Sequence, residues 1–178
     1  WNHRKQCDAV LDAVYRATKA IDPTRPVIDT SGSFHVVTDI YDVHDYEQDP
    51  NKFKEYYSKI SEGIVNDETE RNPIYRGRQK YDGVLPFFIS EYGGIKWSSD
   101  SENSWGYGNA PKTEDEFIQR YKGLTEVILN HENIMGFCYT QLYDVEQEQN
   151  GLMTYDRKFK FDPEIFRKIN TQTAAIEK

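Results

Sequence analysis

The chain is short of the residues that make metal sites, cross-links and membrane spans. It has two cysteines, two methionines and four histidines in 178 residues. Cys7 and Cys138 lie far apart and share no ligand spacing with a histidine, which argues against a disulfide framework or a zinc site. As small apolar side chains both are expected in the interior, as inert thiols. No apolar run approaches the roughly 18 residues that a membrane helix needs, so a membrane is not an expected partner. Positive charge is also scarce: 22 Lys and Arg stand against 30 Asp and Glu, a net charge of -8, with no basic cluster. Phosphate backbones need concentrated positive charge, which argues against nucleic acid as a partner and leaves a neutral one open. No repeat with a period of roughly 20–50 residues and no low-complexity tract is present.

Aromatic residues, by contrast, are plentiful. They make up 14% of the chain, with 13 tyrosines, nine phenylalanines and three tryptophans. Most are expected to line core and surface, but tyrosines in so polar a chain also suit recognition of a sugar or a peptide. The length fits one domain. The first residue is Trp1, without a methionine or a signal peptide, and the opening segment reads as a helix with no element before it. The expectation is a piece of a longer protein.

Apolar positions at Cys7, Val10, Leu11, Val14, Tyr15 and Ile21 recur at three and four, which predicts an amphipathic helix over about 3–20. Asp22-Pro23-Thr24-Arg25-Pro26 stops it, because proline lacks the donor and clashes with the preceding turn. Pro26 to Thr30 reads as a short strand and residues 38–44 as a second. Asp49-Pro50 opens a helix, with aspartate as cap and Phe53, Tyr56, Tyr57 and Ile60 as its apolar side. Residues 63–84 are polar and irregular. Pro86 to Ser90 is almost continuously apolar, like a strand buried on both faces of a parallel sheet. Thr113 and Glu116 form a capping box, satisfying each other's free backbone donors, before a helix that buries Phe117, Tyr121, Leu124 and Ile128. Ile134 to Tyr139 is the last strand, and Asp162-Pro163 starts a helix running to about Ala175.

Strands alternating with helices imply a parallel sheet with crossover helices. Such a sheet could be a small open one or half of a (β/α)₈ barrel. The loops that follow strands, 92–112 and 141–162, are long and rich in aromatic and acidic residues, whereas those that follow helices are tight. In a barrel the loops at the strand C-termini build the active site. The asymmetry favours an α/β fold in which residues 1–178 form part of a (β/α)₈ barrel.

Glu91 leaves the apolar strand at its C-terminal end, and alternation places it on the side of Phe87 and Ile89. Gly93 and Gly94 behind it let the backbone turn and leave room for a ligand. A glutamate held there by an arginine for purely structural reasons is the plain alternative. Asp42, His44 and Tyr46 share one face of the second strand, so His44 could meet a substrate hydroxyl or simply be a satisfied polar group. Asp45 sits beside it. Trp97, Trp105 and Tyr107, in the loop after Glu91, could offer platforms for sugar C–H faces or anchor the loop.

Phe88-Ile89-Ser90-Glu91-Tyr92-Gly93-Gly94 resembles the nucleophile motif on the seventh barrel strand of glycoside hydrolase family two, which includes β-galactosidases and β-glucuronidases. The residues Ile21 to Val27 resemble that family's lead into strand five, Asp39 to Tyr46 its strand six, and Gly136 to Tyr139 its strand eight. Asp144 to Gln147, Asn150-Gly151-Leu152 and Tyr155-Asp156 are similar to the loop that follows. The resemblance spans nearly the whole chain and implies strands five to eight with their helices, the C-terminal half of a catalytic barrel. It also implies a retaining exo-β-glycosidase, β-galactosidase foremost, acting on a β-glycoside or oligosaccharide without a cofactor. Glu91 takes the nucleophile's place and Tyr46 that of the tyrosine which hydrogen-bonds it. His44 and Asp45 flanking Tyr46, Trp97 in the loop after Glu91, and Tyr139 are the candidate substrate-binding residues, and Tyr139 stands at or beside a place where relatives often carry tryptophan. Retention needs two carboxyls roughly 5–5.5 Å apart. The family's acid/base glutamate closes an Asn-Glu pair upstream of a tryptophan resembling Trp1, and Glu132-Asn133 is reversed and misplaced. The proton donor is therefore expected upstream, leaving the fragment inactive alone and prone to self-association through open edges. A secreted or periplasmic parent is consistent with the family. A non-catalytic carbohydrate-binding or scaffold module is the rival reading.

Overall fold

The apolar segment at 86–90 becomes the middle strand of the sheet. The structure, a computed structural model, describes residues 7–32, 34–63, 65, 81–99 and 103–178; Trp1 and most of the stretch 63–84 lie outside the described residues. Three strands, β1 (Tyr41–Asp45), β2 (Phe87–Gly93) and β3 (Ile134–Thr140), form one parallel sheet in the order β1-β2-β3. Helices α2 (Pro50–Tyr57) and α3 (Glu114–Leu129) are the crossovers, preceded by α1 (Asp8–Ile21) and followed by α4 (Pro163–Asn170). The architecture is α/β, as expected, with three strands among the described residues. It matches part of a barrel in kind; an eight-strand count is not seen.

The strand expected at 26–30 does not form. Pro26 lacks a donor, and side chains take the others nearby: Asp39 accepts Val27 N–H at 2.9 Å, and Asp29 accepts those of Thr30, Val36 and Val37. Thr38 and Asp39 hook this segment to the start of β1 through the Val27 carbonyl.

The helix caps follow their local chemistry. Asp49 accepts Asn51 N–H and Asp162 accepts Glu164 N–H, each with proline in the first turn. Thr113 accepts Glu116 N–H at 3.1 Å, but Glu116 reaches back to Lys112 N–H at 2.8 Å rather than to that of Thr113. The expected box is therefore displaced by one residue. α4 ends at Asn170, short of Ala175.

Helices α2, α3 and α4 cover one face of the sheet, and the aromatic residues fill the layer between. Phe87, fully buried, lies against Tyr41, Tyr57 and Tyr81, with ring centroids 5.0–5.8 Å away. At the other end of the layer Tyr92 and Tyr121 are buried beside Tyr139, Phe117 and Phe166. Thr125 of α3 bonds the Tyr92 hydroxyl at 2.7 Å and Asp45 accepts from that of Tyr57, whereas the buried Tyr41 hydroxyl has no partner among the described residues. Most of the aromatic excess is thus core.

α1 departs from expectation. It buries no side chain, and Val10, Val14 and Ile21 are exposed; polar contacts from Tyr15 and Lys19 to Asp39 tie it down. Both thiols are exposed as well, against the expectation of interior cysteines, because Cys7 precedes this open helix and Cys138 lies on β3 at the edge of the sheet. No helix among the described residues is long and apolar enough to cross a membrane.

Candidate active site

The position of Glu91 depends on one extra residue in β2. Val43 pairs with Ile89 and His44 with Glu91, which leaves Ser90 without a counterpart on β1. Against β3, Ile89 pairs with Phe137 and Tyr92 with Tyr139, again one residue more on β2. Such a bulge resets the alternation of side chains. Phe87, Ile89 and Tyr92 therefore all point into the helical layer, while Glu91 turns to the opposite face. Simple alternation had put Glu91 on the side of Phe87 and Ile89, and the bulge overturns that.

On the face away from the helices the three strand ends converge. The Tyr46 hydroxyl, just beyond β1, donates to Glu91 Oε2. His44 Nδ1 stands 3.3 Å from the same oxygen, and its Nε2 meets Ser31 Oγ at 3.0 Å. Both contacts are satisfied when Nδ1 carries the proton toward the carboxylate and Nε2 accepts from Ser31. Thr140, at the end of β3, reaches the Tyr46 phenol. Tyr107 stacks on the Tyr46 ring at 3.5 Å and 4°, and Trp105 meets Tyr107 edge-on at 5.9 Å. Glu91 Oε1 has no hydrogen bond among the described residues, and the Glu91 side chain is 37% exposed. One oxygen is held; the other is free.

Burial and then the bond to Glu91 push the Tyr46 phenol far above the usual tyrosine range. Tyr46 therefore remains an O–H donor across the working range of pH. The space left by Gly93 and Gly94 serves these rings rather than a ligand. A Cβ on Gly94 would stand 2.4 Å from Tyr107 Cδ2, and one on Gly93 would stand 2.3 Å from Tyr139 Cε2; both residues have positive φ.

Glu91, Tyr46 and His44 are thus brought together, and three other candidate residues are not. Asp45 points into the helical layer and accepts from Tyr57 at 2.7 Å. Trp97 lies on Phe117 and Phe161, its carbonyl held by Lys160, as a loop anchor does. Tyr139 is wedged beside Tyr92 and Tyr121, accepting Ile95 N–H and donating to the Asn150 carbonyl, with its phenol pushed upward by burial. The two long loops are joined to each other: Trp105 and Gln147–Gln149 exchange backbone hydrogen bonds, and buried Lys160 and Asp144 pair at 2.7 Å beneath them.

The residues that spacing did not single out lie just behind His44. His35, almost fully buried, sits between Asp29 (Nδ1 to Oδ1, 2.7 Å) and Asp42 (Nε2 to the carbonyl at 2.9 Å and to Oδ1 at 3.1 Å). Burial opposes its charged form, but the bonds to Asp29 and Asp42 outweigh it and raise the imidazole to about 9. Three of these polar groups fall within 14 residues, the only signal the sequence offered. No group of His, Cys, Asp and Glu among the described residues could hold a metal ion.

The raised histidine gives a pH dependence with a definite sign. The folded value lies above the ordinary value of 6.5, so this stabilisation is complete below about pH 6.5 and is lost as pH rises through about 9. Each pH unit crossed in that window removes at most about 1.4 kcal/mol. Urea unfolding midpoints should fall between pH 6.5 and 9, and H35Q should flatten the curve.

No family model matches the chain, and no curated protein sequence does. Solved structures do share its fold. One is a GH2 β-galacturonidase from Eisenbergiella tayi bound to galacturonate, at 16% identity over 94% of this chain, with a TM-score of 0.60. A β-glucuronidase of Bacteroides uniformis matches at 17% over 85%, TM-score 0.58, and one of Lactobacillus rhamnosus at 14% over 96%, TM-score 0.61. The chain spans 31%, 18% and 30% of those proteins. At such identities the likeness is one of fold: this chain folds like a part of these glycosidases.

Proposed function

We propose that residues 1–178 are the C-terminal half of the catalytic (β/α)₈ barrel of a retaining exo-β-glycosidase of glycoside hydrolase family two, with Glu91 as its nucleophile. The observation that carries this reading is the Tyr46 hydroxyl on Glu91 Oε2 at the C-terminal ends of parallel strands, with Oε1 unencumbered. Tyr46 and His44 orient the carboxylate. Oε1 attacks the anomeric carbon as the bond to the leaving oxygen breaks, and that oxygen takes a proton from an acid outside these residues. Water, deprotonated by the same group, then attacks the anomeric carbon and releases Glu91. The substrate is a β-galactoside, taken in aqueous solution. The isolated chain turns over nothing and associates through its open edges.

The complete gene product, incubated with a 2-deoxy-2-fluoro-β-galactosyl fluoride, should gain one fluorosugar on the peptide containing Glu91, as read by mass spectrometry. Labelling elsewhere, or none with galactosyl, glucosyl and glucuronyl reagents alike, would overturn the reading. Tyr46→Phe in the same protein should lower kcat by roughly 10²–10³-fold, the scale of removing one preorganised donor. The check is steady-state hydrolysis of an aryl galactoside.

A further inference from the structure

Asp29, His35 and Asp42 touch no oxygen of Glu91, yet His44 and the Ser90 bulge, which place the Glu91 carboxylate together with Tyr46, are both connected to them. Asp29 fixes the loop on one side: Oδ1 receives His35 Nδ1 at 2.7 Å, and Oδ2 accepts the backbone N–H groups of Val36 and Val37 at 2.6 and 3.1 Å. Asp42 fixes the other: besides its contacts with His35 Nε2, its Oδ2 accepts Gly32 N–H at 2.9 Å and the Ser90 hydroxyl. Two arms run from Asp42 to Glu91. One passes through Ser90, the extra residue of β2 and the immediate neighbour of Glu91. The other passes through Ser31 and Gly32, the seat of His44. Ser31 bonds its Nε2, and the Gly32 backbone lies so close under the imidazole that a Cβ there would stand 1.9 Å from His44 Cδ2.

We propose that His35 is a positioning residue for the Glu91 site, bridging Asp29 and Asp42 so that Ser31 and Gly32 seat His44 and the β2 bulge aims Glu91. The inference rests on the reading of Glu91 as a glycosidase nucleophile. The Nδ1 edge of the ring meets the Asp29 carboxylate, and the Nε2 edge meets the Asp42 backbone, its carbonyl at 2.9 Å and its N–H at 3.2 Å, with Oδ1 of Asp42 lying 3.1 Å away, so one imidazole ties the loop to β1. Among the described residues, the groups facing His35 include Asp29 in its own loop, Asp42 on β1, the edge of the Tyr41 ring at 4.7 Å, and Asp82, which lines the small cavity beside it. Asp82 is occupied with the N–H groups of Val84 and Leu85, so Asp29 and Asp42 are the bonded partners. An amide at position 35 cannot reach Asp29 and the Asp42 backbone with both ring edges, and the loosening would reach both His44 and the bulge. Displacements of about 1 Å at a reacting group cost on the order of 10² in rate.

The test uses H35Q in the complete protein, with Tyr121→Phe as a control that loses a buried hydrogen bond, 3.0 Å to Asn170, within the helical layer. H35Q should slow fluorosugar labelling of Glu91 and kcat on the order of 10²-fold, with KM little changed. It should also remove the alkaline fall near pH 9 in the rate of fluorosugar labelling, a step whose fluoride leaving group needs no proton from the general acid. His44 ring nitrogens, followed by long-range ¹H–¹⁵N correlation, should leave the Nδ1-protonated signature in H35Q and keep it in the control. A His44 spectrum and a pH profile unmoved by H35Q would overturn the proposal, as would equal changes in the control. Absence of label in the wild-type protein overturns the glycosidase reading alone, and the His44 spectrum still decides whether His35 seats that ring.

Discussion

Glu91→Gln in the complete protein should abolish turnover of aryl β-galactosides to within a residue of roughly 10⁻⁴ to 10⁻⁶ of the wild-type kcat, the scale of losing a residue that acts as the nucleophile of a unit. The amide preserves shape, and its oxygen can still accept from Tyr46, so the fold and the Tyr46 contact survive. On the proposed reading, what disappears is the capacity to form the covalent glycosyl-enzyme, because Oε1 is replaced by an amide group. The change in kcat should therefore come without a change in thermal midpoint. Glu91→Ala with added azide sharpens the result. A small anion in the vacated space attacks the same face of the sugar, so turnover should partly return and yield a glycosyl azide of inverted configuration. A Glu91→Gln variant with a tenth of wild-type turnover would refute the assignment.

Phe87→Ala should cost about 3–5 kcal/mol of folding free energy, the range for deleting a buried phenylalanine ring. Phe87 is fully buried in the middle strand and contacts Tyr41 from β1, Tyr57 from α2 and Tyr81 from the approach to β2. These neighbours are large, rigid rings fixed by their own contacts, which limits collapse into the void and puts the cost at the upper end. For a unit of this size the thermal midpoint should drop by about 6–20 °C. Calorimetry or circular dichroism would check it, and a shift below about 2 °C would show that the aromatic layer is loosely filled. Because the ring points away from Glu91, residual folded protein should keep the fluorosugar reactivity of the wild type.

What the sequence made legible was what depends on near neighbours. Asp49-Pro50, Asp162-Pro163 and Thr113 start helices through bonds spanning two or three residues, and the α2 and α3 stripes bury as their spacing dictates. The parallel order follows from strands alternating with helices. The contact of Tyr46 with Glu91 was legible through resemblance, whereas alternation put His44 on the face of Tyr46 without showing that it meets Glu91. What stayed hidden depends on partners distant in sequence. The Ser90 bulge exists only in the registers of β2 with both neighbouring strands, so alternation along β2 gave Glu91 the wrong face. The segment at 26–30 has strand-like composition, but Asp29 and Asp39 capture the donors a ladder would use. Nothing local marks Trp97 and Tyr139 as wedges of the helical layer, since the docking of their loops decides which way they point.

The extra residue in β2 also bears on how this segment tolerates change over evolutionary time. Substitutions along 87–93 act on one face at a time, so core volume and the chemistry of the open face can drift separately. A change of length there acts on both at once, exchanging carboxylate for ring on every position beyond it. The segment is thus strict in its count as well as in letters such as Phe87 and Gly93.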